Sequence, residues 1–267
     1  MKDPLRILII DDEKQIRFML SNILSKLGYA VMEAANGVEG LEKIKEMPFD
    51  LVISDVRMPE MDGITVLREV KKIAPAIEVI MISGYSATDA VVNSLKIGAF
   101  DFINKPFDSN QISATVEKAT ASFLIKQKFS VIQKRFSELG CSDDAPANAS
   151  RCDIEKEFYE LIENSSQAIV SLDTSREISN WNNGARAIFG YTAERVKGKS
   201  IDFLYSYSSE MLNAFFWDEI DRKGIVWDFI TRAMTAEKET IYVVTTAFKI
   251  PGEGIAILLR KSKLIVY

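Results

Sequence analysis

The sequence predicts an α/β domain with a doubly wound, five-stranded parallel sheet, then a long helical connector and an α+β domain with a five-stranded antiparallel sheet. Three observations carry this. Over the first ~120 residues, short apolar runs alternate five times with stretches of helical periodicity. Glycine and proline are then absent from Phe107 until Gly140, a gap long enough for one continuous helix. Beyond it, two short strand-like segments, small helical pieces and three longer strands follow in turn.

Taken in order, Leu5 to Ile10 is an apolar, β-branched run ending at Asp11-Asp12-Glu13. Ile16, Met19, Leu20, Ile23, Leu24 and Leu27 recur at helical spacing, and Gly28 stops that helix. A strand over Ala30 to Ala34 precedes a helix from about Gly37 to Met47 carrying Leu41 and Ile44. Leu51 to Ile53 is a run suited to a strand buried on both faces, and it delivers Asp55 to the point where the run stops. Pro59 and Gly63 punctuate the turn before a helix marked by Ile64, Val66, Leu67 and Val70, which Pro75 ends. The fourth strand, Glu78 to Ile82, finishes at Ser83-Gly84, and a helix from about Ala87 to Ile97 places Val91, Val92 and Leu95 inward. The fifth strand, Ala99 to Ile103, ends at Asn104-Lys105-Pro106-Phe107, and a fifth helix begins near Asp108.

The strand ends are informative as a set. Alternating strands and helices give right-handed crossovers, and a flavodoxin-like order 2-1-3-4-5 makes strands one, three, four and five neighbours. Ligands of such sheets bind at the carboxyl ends of the strands. Asp11 and Asp12, Asp55, Ser83 and Lys105 stand at four of those ends. Singly, each has an ordinary reading: a helix cap, a turn serine, a solvated lysine. Together, three crowded carboxylates repel one another and favour a hard divalent cation with oxygen ligands, such as Mg2+. A hydroxyl and an ammonium facing the same spot can hold the oxygens of a phosphoryl group.

Composition narrows the chemistry. There is no histidine, which removes imidazole acid–base catalysis, imidazole-ligated haem or zinc, and a phosphohistidine on this chain. A phosphoryl group arriving from histidine must come from another protein. A net charge of -5 argues against a nucleic-acid partner. Cys141 and Cys152 are too few for a disulfide framework and fit a reducing cytoplasm. No apolar run suits a membrane span, and the first strand begins so early that no signal peptide is expected.

The Asp11-Asp12 pair, the Asp55 stretch through Met58-Pro59 and Met61-Asp62-Gly63, Ser83-Gly84 and Lys105-Pro106-Phe107 resemble the receiver domains of two-component response regulators over roughly residues 4–125. The resemblance implies that Asp55 is the phosphoacceptor, served by a sensor histidine kinase. It implies that Asp11, Asp12 and Asp55 bind Mg2+, with Arg57 adding its backbone carbonyl. It also implies that Ser83 and Lys105 bind the phosphoryl oxygens, and that Phe102 occupies the aromatic switch position. A cis Lys105–Pro106 peptide is expected on the same ground. A phosphatase of the haloacid-dehalogenase type needs a second acid two residues after its nucleophile, where this chain has Arg57.

Ile125, Phe129, Ile132, Phe136 and Leu139 step by four and three, which fits either a short coiled-coil seam or an amphipathic helix packed on its own domains. The first reading predicts a homodimer through the connector, with the second domain adding to it. Gly140 to Asp153 reads as a flexible linker. A short helix carrying Phe158, Leu161 and Ile162 then leads to strands at Ala168 to Leu172 and Glu177 to Trp181, and the last strands run over Ile225 to Met234, Thr240 to Ile250 and Gly254 to Val266. Phe158 through Ala168-Ile169-Val170, Trp181-Asn182, Ala185 and Phe189-Gly190-Tyr191-Thr192 resemble a PAS domain. That resemblance implies either a protein-interaction role or a small-ligand sensor that tunes the receiver. The expected division is 1–122 receiver, 123–153 connector and linker, and 154–267 PAS domain, with no DNA-binding or catalytic output module.

Overall fold

The computed structural model describes residues 3–84, 94–95, 97–138, 156, 159–160, 162–163, 165, 167–205, 216–250 and 254–262. The chain divides into two compact units, with the boundary between Leu124 and Ile125.

In the first unit, β1 (Arg6–Ile10), β2 (Ala30–Ala34), β3 (Leu51–Asp55), β4 (Glu78–Ser83) and β5 (Asp101–Asn104) form one parallel sheet in the order β2-β1-β3-β4-β5. Helices α1 (Lys14–Lys26), α2 (Gly37–Glu46) and α3 (Gly63–Ile73) alternate with the strands, and a long helix follows over Ser109–Glu138. β1, β3 and β4 are buried almost throughout, which is why their sequences read as unbroken apolar runs. Alternate strand residues Ile7, Ile9, Leu51, Ile53, Ile80 and Ile82 share a cluster with Leu20 and Leu24 of α1 and Ile112 and Val116 of the long helix. Asn36 and Asp62 cap α2 and α3 by accepting the amide N–H of Glu39 and Thr65. β5 begins at Asp101 rather than Ala99: the Ala99 amide donates to the carbonyl of Ser94 in the preceding turn, and the Phe100 amide makes the first bond to β4, at the carbonyl of Val79. Of the residues expected to face inward from the segment before it, Leu95 is buried, and Val91 and Val92 lie outside the described residues.

In the second unit, β6 (Ala168–Leu172), β7 (Ile178–Trp181), β8 (Ile225–Met234), β9 (Thr240–Ile250) and β10 (Gly254–Lys261) form an antiparallel sheet ordered β7-β6-β10-β9-β8. One face packs on Phe189, Leu204, Tyr205, Phe216 and Ile220 from the short helical segments between β7 and β8. Asn182 ties the entry to this domain together. Its side-chain oxygen accepts from Ile169 and Ala185, and its amide donates to the carbonyls of Ile162, Ser165 and Gln167.

The opposite face bears on the two readings of the connector. Phe129 and Ile132 of the long helix are fully buried against Ile169, Phe248, Ile250, Ala256 and Leu258 of the same chain, with Ile125 packed alongside. The Phe129 and Phe248 rings stack at 5.4 Å, and Trp227 meets Phe248 edge-on at 5.5 Å. The described part of the stripe, Ile125, Phe129 and Ile132, therefore packs on a sheet of its own chain, the second of the two readings of that spacing. The side chain of Phe136, with Leu139 and the 140–153 linker containing Cys141 and Cys152, lies outside the described residues, as do Phe158 and Leu161. Among the described residues, no helix is long and apolar enough to cross a membrane.

Candidate functional site

The carboxyl ends of β1, β3, β4 and β5 bring the expected residues to one edge of the parallel sheet. Ser54 and Asp55 of β3 pair in register with Met81 and Ile82 of β4, and Ser83 with Asn104 of β5. The amide of Lys105 donates to the carbonyl of Ser83 at 2.7 Å, which continues the sheet into the loop and fixes where the lysine side chain starts. The Lys105–Pro106 bond is cis, as expected.

Lys105 is the hub of the observed contacts. Its Nζ lies 3.0 Å from Asp11 Oδ2, 3.0 Å from Asp55 Oδ2 and 3.1 Å from Glu13 Oε1. Carboxylate oxygens of Asp11, Asp12 and Asp55 all fall within 4.8 Å of one another. Like charges at that spacing repel by roughly 3 to 4 kcal/mol per pair at an effective dielectric near 20, so a cation among them, as the Lys105 ammonium is, relieves the repulsion. Asp11 and Asp55 are buried, whereas Asp12 is exposed. Burial raises the Asp11 pKa above the ordinary carboxylate value, opposed by the Glu13 amide and by Lys105. For Lys105, burial works to lower the pKa, but its hydrogen bonds to Asp11, Asp55 and Glu13 more than reverse that and hold the ammonium above the usual lysine range.

The donor set fits a hard divalent cation. It consists of carboxylate oxygens from two strand ends, two of them buried, with no sulfur or imidazole ligand among them. These acids are not serving α1 as caps. The N-cap residue Glu13 makes no side-chain cap bond, and Asp11 Oδ1 instead accepts the amide of Glu13 at 2.8 Å.

Ser83 is buried at the end of β4, its hydroxyl 3.3 Å from the carbonyl of Gly84. Phe102 is partly buried in β5, and Arg57 is exposed just after β3. Gly63 packs so tightly that a Cβ there would sit 1.9 Å from the Asp55 carbonyl oxygen, so glycine lets α3 start directly beneath the acid. Sequence reasoning passed over two contributors, Glu13 and Arg17. Neither carries a signal of its own in the sequence: Lys14, a cation nearer the same helix end, reads the same way as Arg17.

Comparison with known proteins agrees with this architecture. Residues 7–117 match the response regulator receiver domain family, and residues 166–260 match the PAS domain family. The chemotaxis protein CheY of Bacillus subtilis is 44% identical over 114 residues, covering 42% of this chain and 95% of CheY. The transcriptional regulatory protein ZraR of Escherichia coli is 44% identical over 119 residues, covering 45% of this chain, and the match spans only 27% of ZraR's length. A receiver domain structure from Clostridium thermocellum is 35% identical with a TM-score of 0.42, covering 43% of this chain and 94% of that one. The chain belongs to the response regulator receiver family, and a PAS domain follows its receiver domain.

Proposed function

We propose that this two-component response regulator accepts a phosphoryl group on Asp55 from a phosphohistidine of a partner histidine kinase, in a Mg2+-dependent reaction. The observation that carries the reading is the Lys105 ammonium at 3.0 Å from both Asp11 and Asp55, on the ends of separate strands. Asp55 supplies the nucleophile: its carboxylate oxygen forms the new O–P bond as the histidine N–P bond breaks, and the electron pair returns to the imidazole of the partner. Asp11, Asp12 and Asp55, with the backbone carbonyl of Arg57, would hold Mg2+, which when bound neutralises charge on carboxylates and phosphoryl oxygens. Lys105 already faces Asp55 and exchanges that contact for a phosphoryl oxygen, while Ser83 offers its hydroxyl to a second one. Phe102 then responds to the position of Ser83.

Functionally, the chain is divided into a receiver (1–122), a connector (123–153) and a PAS domain (154–267) whose output is protein interaction. Among the described residues the PAS inner face is packed with large buried side chains, Phe189, Tyr205 and Phe216; a small ligand retained on purification would favour the sensing reading instead. The test is labelling by acetyl phosphate. Wild type incorporates phosphate in Mg2+ and loses labelling in EDTA, while Asp55→Asn, which keeps the shape but not the nucleophile, stays unlabelled. Equal labelling of the mutant would move the phosphoacceptor elsewhere.

A further inference from the structure

Arg17 lies one turn into α1, and its side chain is only 13% exposed. Its Nη1 donates to the backbone carbonyl of Asp11 at 2.7 Å and to that of Asp12 at 3.2 Å. Its Nε reaches Glu33 Oε2 at 3.3 Å, on β2, and among the described residues that carboxylate is its ion-pair partner. A cation this close to an acid cluster would ordinarily pair with the carboxylates themselves. Here the guanidinium takes the main-chain oxygens of the two adjacent acids instead, and a third acid on the neighbouring strand holds it. Glu33 pairs in register with Ile9 of β1, so the anchor belongs to the same rigid sheet that carries the acid pair.

We propose that Arg17 is a positioning residue for the metal-binding carboxylates. By holding the carbonyls of Asp11 and Asp12 it fixes the backbone of the β1–α1 loop, so that both side chains are set toward Asp55 before a cation arrives. Asp11 completes the arrangement by accepting the amide of Glu13 with one oxygen and Lys105 with the other. The proposal rests on the reading of this cluster as a Mg2+ site. Its chemistry is specific to arginine: a planar fork spans two carbonyls and a carboxylate at once, whereas lysine offers one point charge.

Charge and geometry predict opposite signs, and this makes the test decisive. As a nearby cation, Arg17 repels Mg2+, so neutralising it should tighten binding. As a positioner it preorganises the ligands, so removing it should weaken binding, by about 10-fold or more for partners that orient metal ligands. Titrate Mg2+ into the full chain calorimetrically, without phosphodonor, for wild type, Arg17→Met and Arg17→Lys. Arg17→Met, which keeps the apolar stem, should bind about 10-fold more weakly, with Arg17→Lys between it and wild type. The loss should persist when KCl is raised, since a Coulombic effect is screened and a geometric one is not. If Arg17→Met binds Mg2+ equally or more tightly, or Arg17→Lys matches wild type, the proposal is overturned. Should Arg17→Met fail to fold, Arg17→Lys alone decides, because it keeps the charge and loses the fork. A wild type that takes up no Mg2+ removes the underlying metal reading, and this proposal with it.

Discussion

Replacing Phe129 and Ile132 together by alanine should destabilise the second unit on the order of 5 kcal/mol, independent of protein concentration. Both side chains are fully buried against the outer face of the antiparallel sheet, Phe129 stacked on Phe248. Large-to-small changes at such positions cost about 3 to 5 kcal/mol for Phe and about 2 to 5 for Ile, less than additively for neighbours. Domains are stable by only about 5 to 15 kcal/mol, so the loss is a large share of the whole. Tryptophan fluorescence during urea unfolding measures it directly, because all three tryptophans, Trp181, Trp217 and Trp227, belong to the second unit. The same experiment separates the two readings of the heptad-like stripe. A seam between two chains would give a midpoint that rises with protein concentration. A stripe buried on its own sheet gives one that does not. Unchanged stability in the double variant would show that the helix is not packed as described.

That stripe marks where the sequence stopped being legible. Steps of four and three place Ile125, Phe129 and Ile132 on one helix face, but spacing alone is silent on what the face meets. Its partners Ile169, Phe248, Ile250, Ala256 and Leu258 come from three strands far along the chain, and only the tertiary fold brings them together. The parallel sheet was readable for the opposite reason. Its central strands β1, β3 and β4 are buried on both faces, so burial writes itself locally as runs such as Ile7 to Ile10 and Leu51 to Ile53. The site was readable because a doubly wound sheet gathers its strand ends, so that Asp11, Asp55 and Lys105 could be placed together before any distance was known. Arg17 was not, since it acts through carbonyl oxygens, which every residue carries and no motif records.

The ion pair between Lys126 and Asp228 was equally hidden, and breaking it should be among the most costly single changes in the chain. The two charges lie 2.7 Å apart with side chains only 3% and 5% exposed, separated by 102 positions in sequence. Asp228 sits where β8 shifts register between Val226 and Phe229, with a left-handed φ of 46°. Its amide donates to the Thr246 hydroxyl oxygen, and that hydroxyl donates back to Asp228 Oδ1. Lys126 Nζ also lies 5.8 Å from the Trp227 ring centroid. Removing one partner of a buried pair takes away the main compensation of the other charge and costs about 3 to 5 kcal/mol, whereas removing both can be nearly neutral. Asp228→Asn is the suitable single variant, because asparagine tolerates the left-handed backbone and isolates the loss of charge. Lys126→Met keeps most of the stem and isolates loss of the ammonium. Each should lower the free energy of unfolding of the second unit, measured by urea titration, by that amount. The double variant should lose clearly less than the sum, with a coupling of about 2 to 3 kcal/mol. Strictly additive losses, or single losses below about 1 kcal/mol, would make the pair equivalent to a solvated surface contact and leave the apolar stripe alone to hold the helix on its sheet.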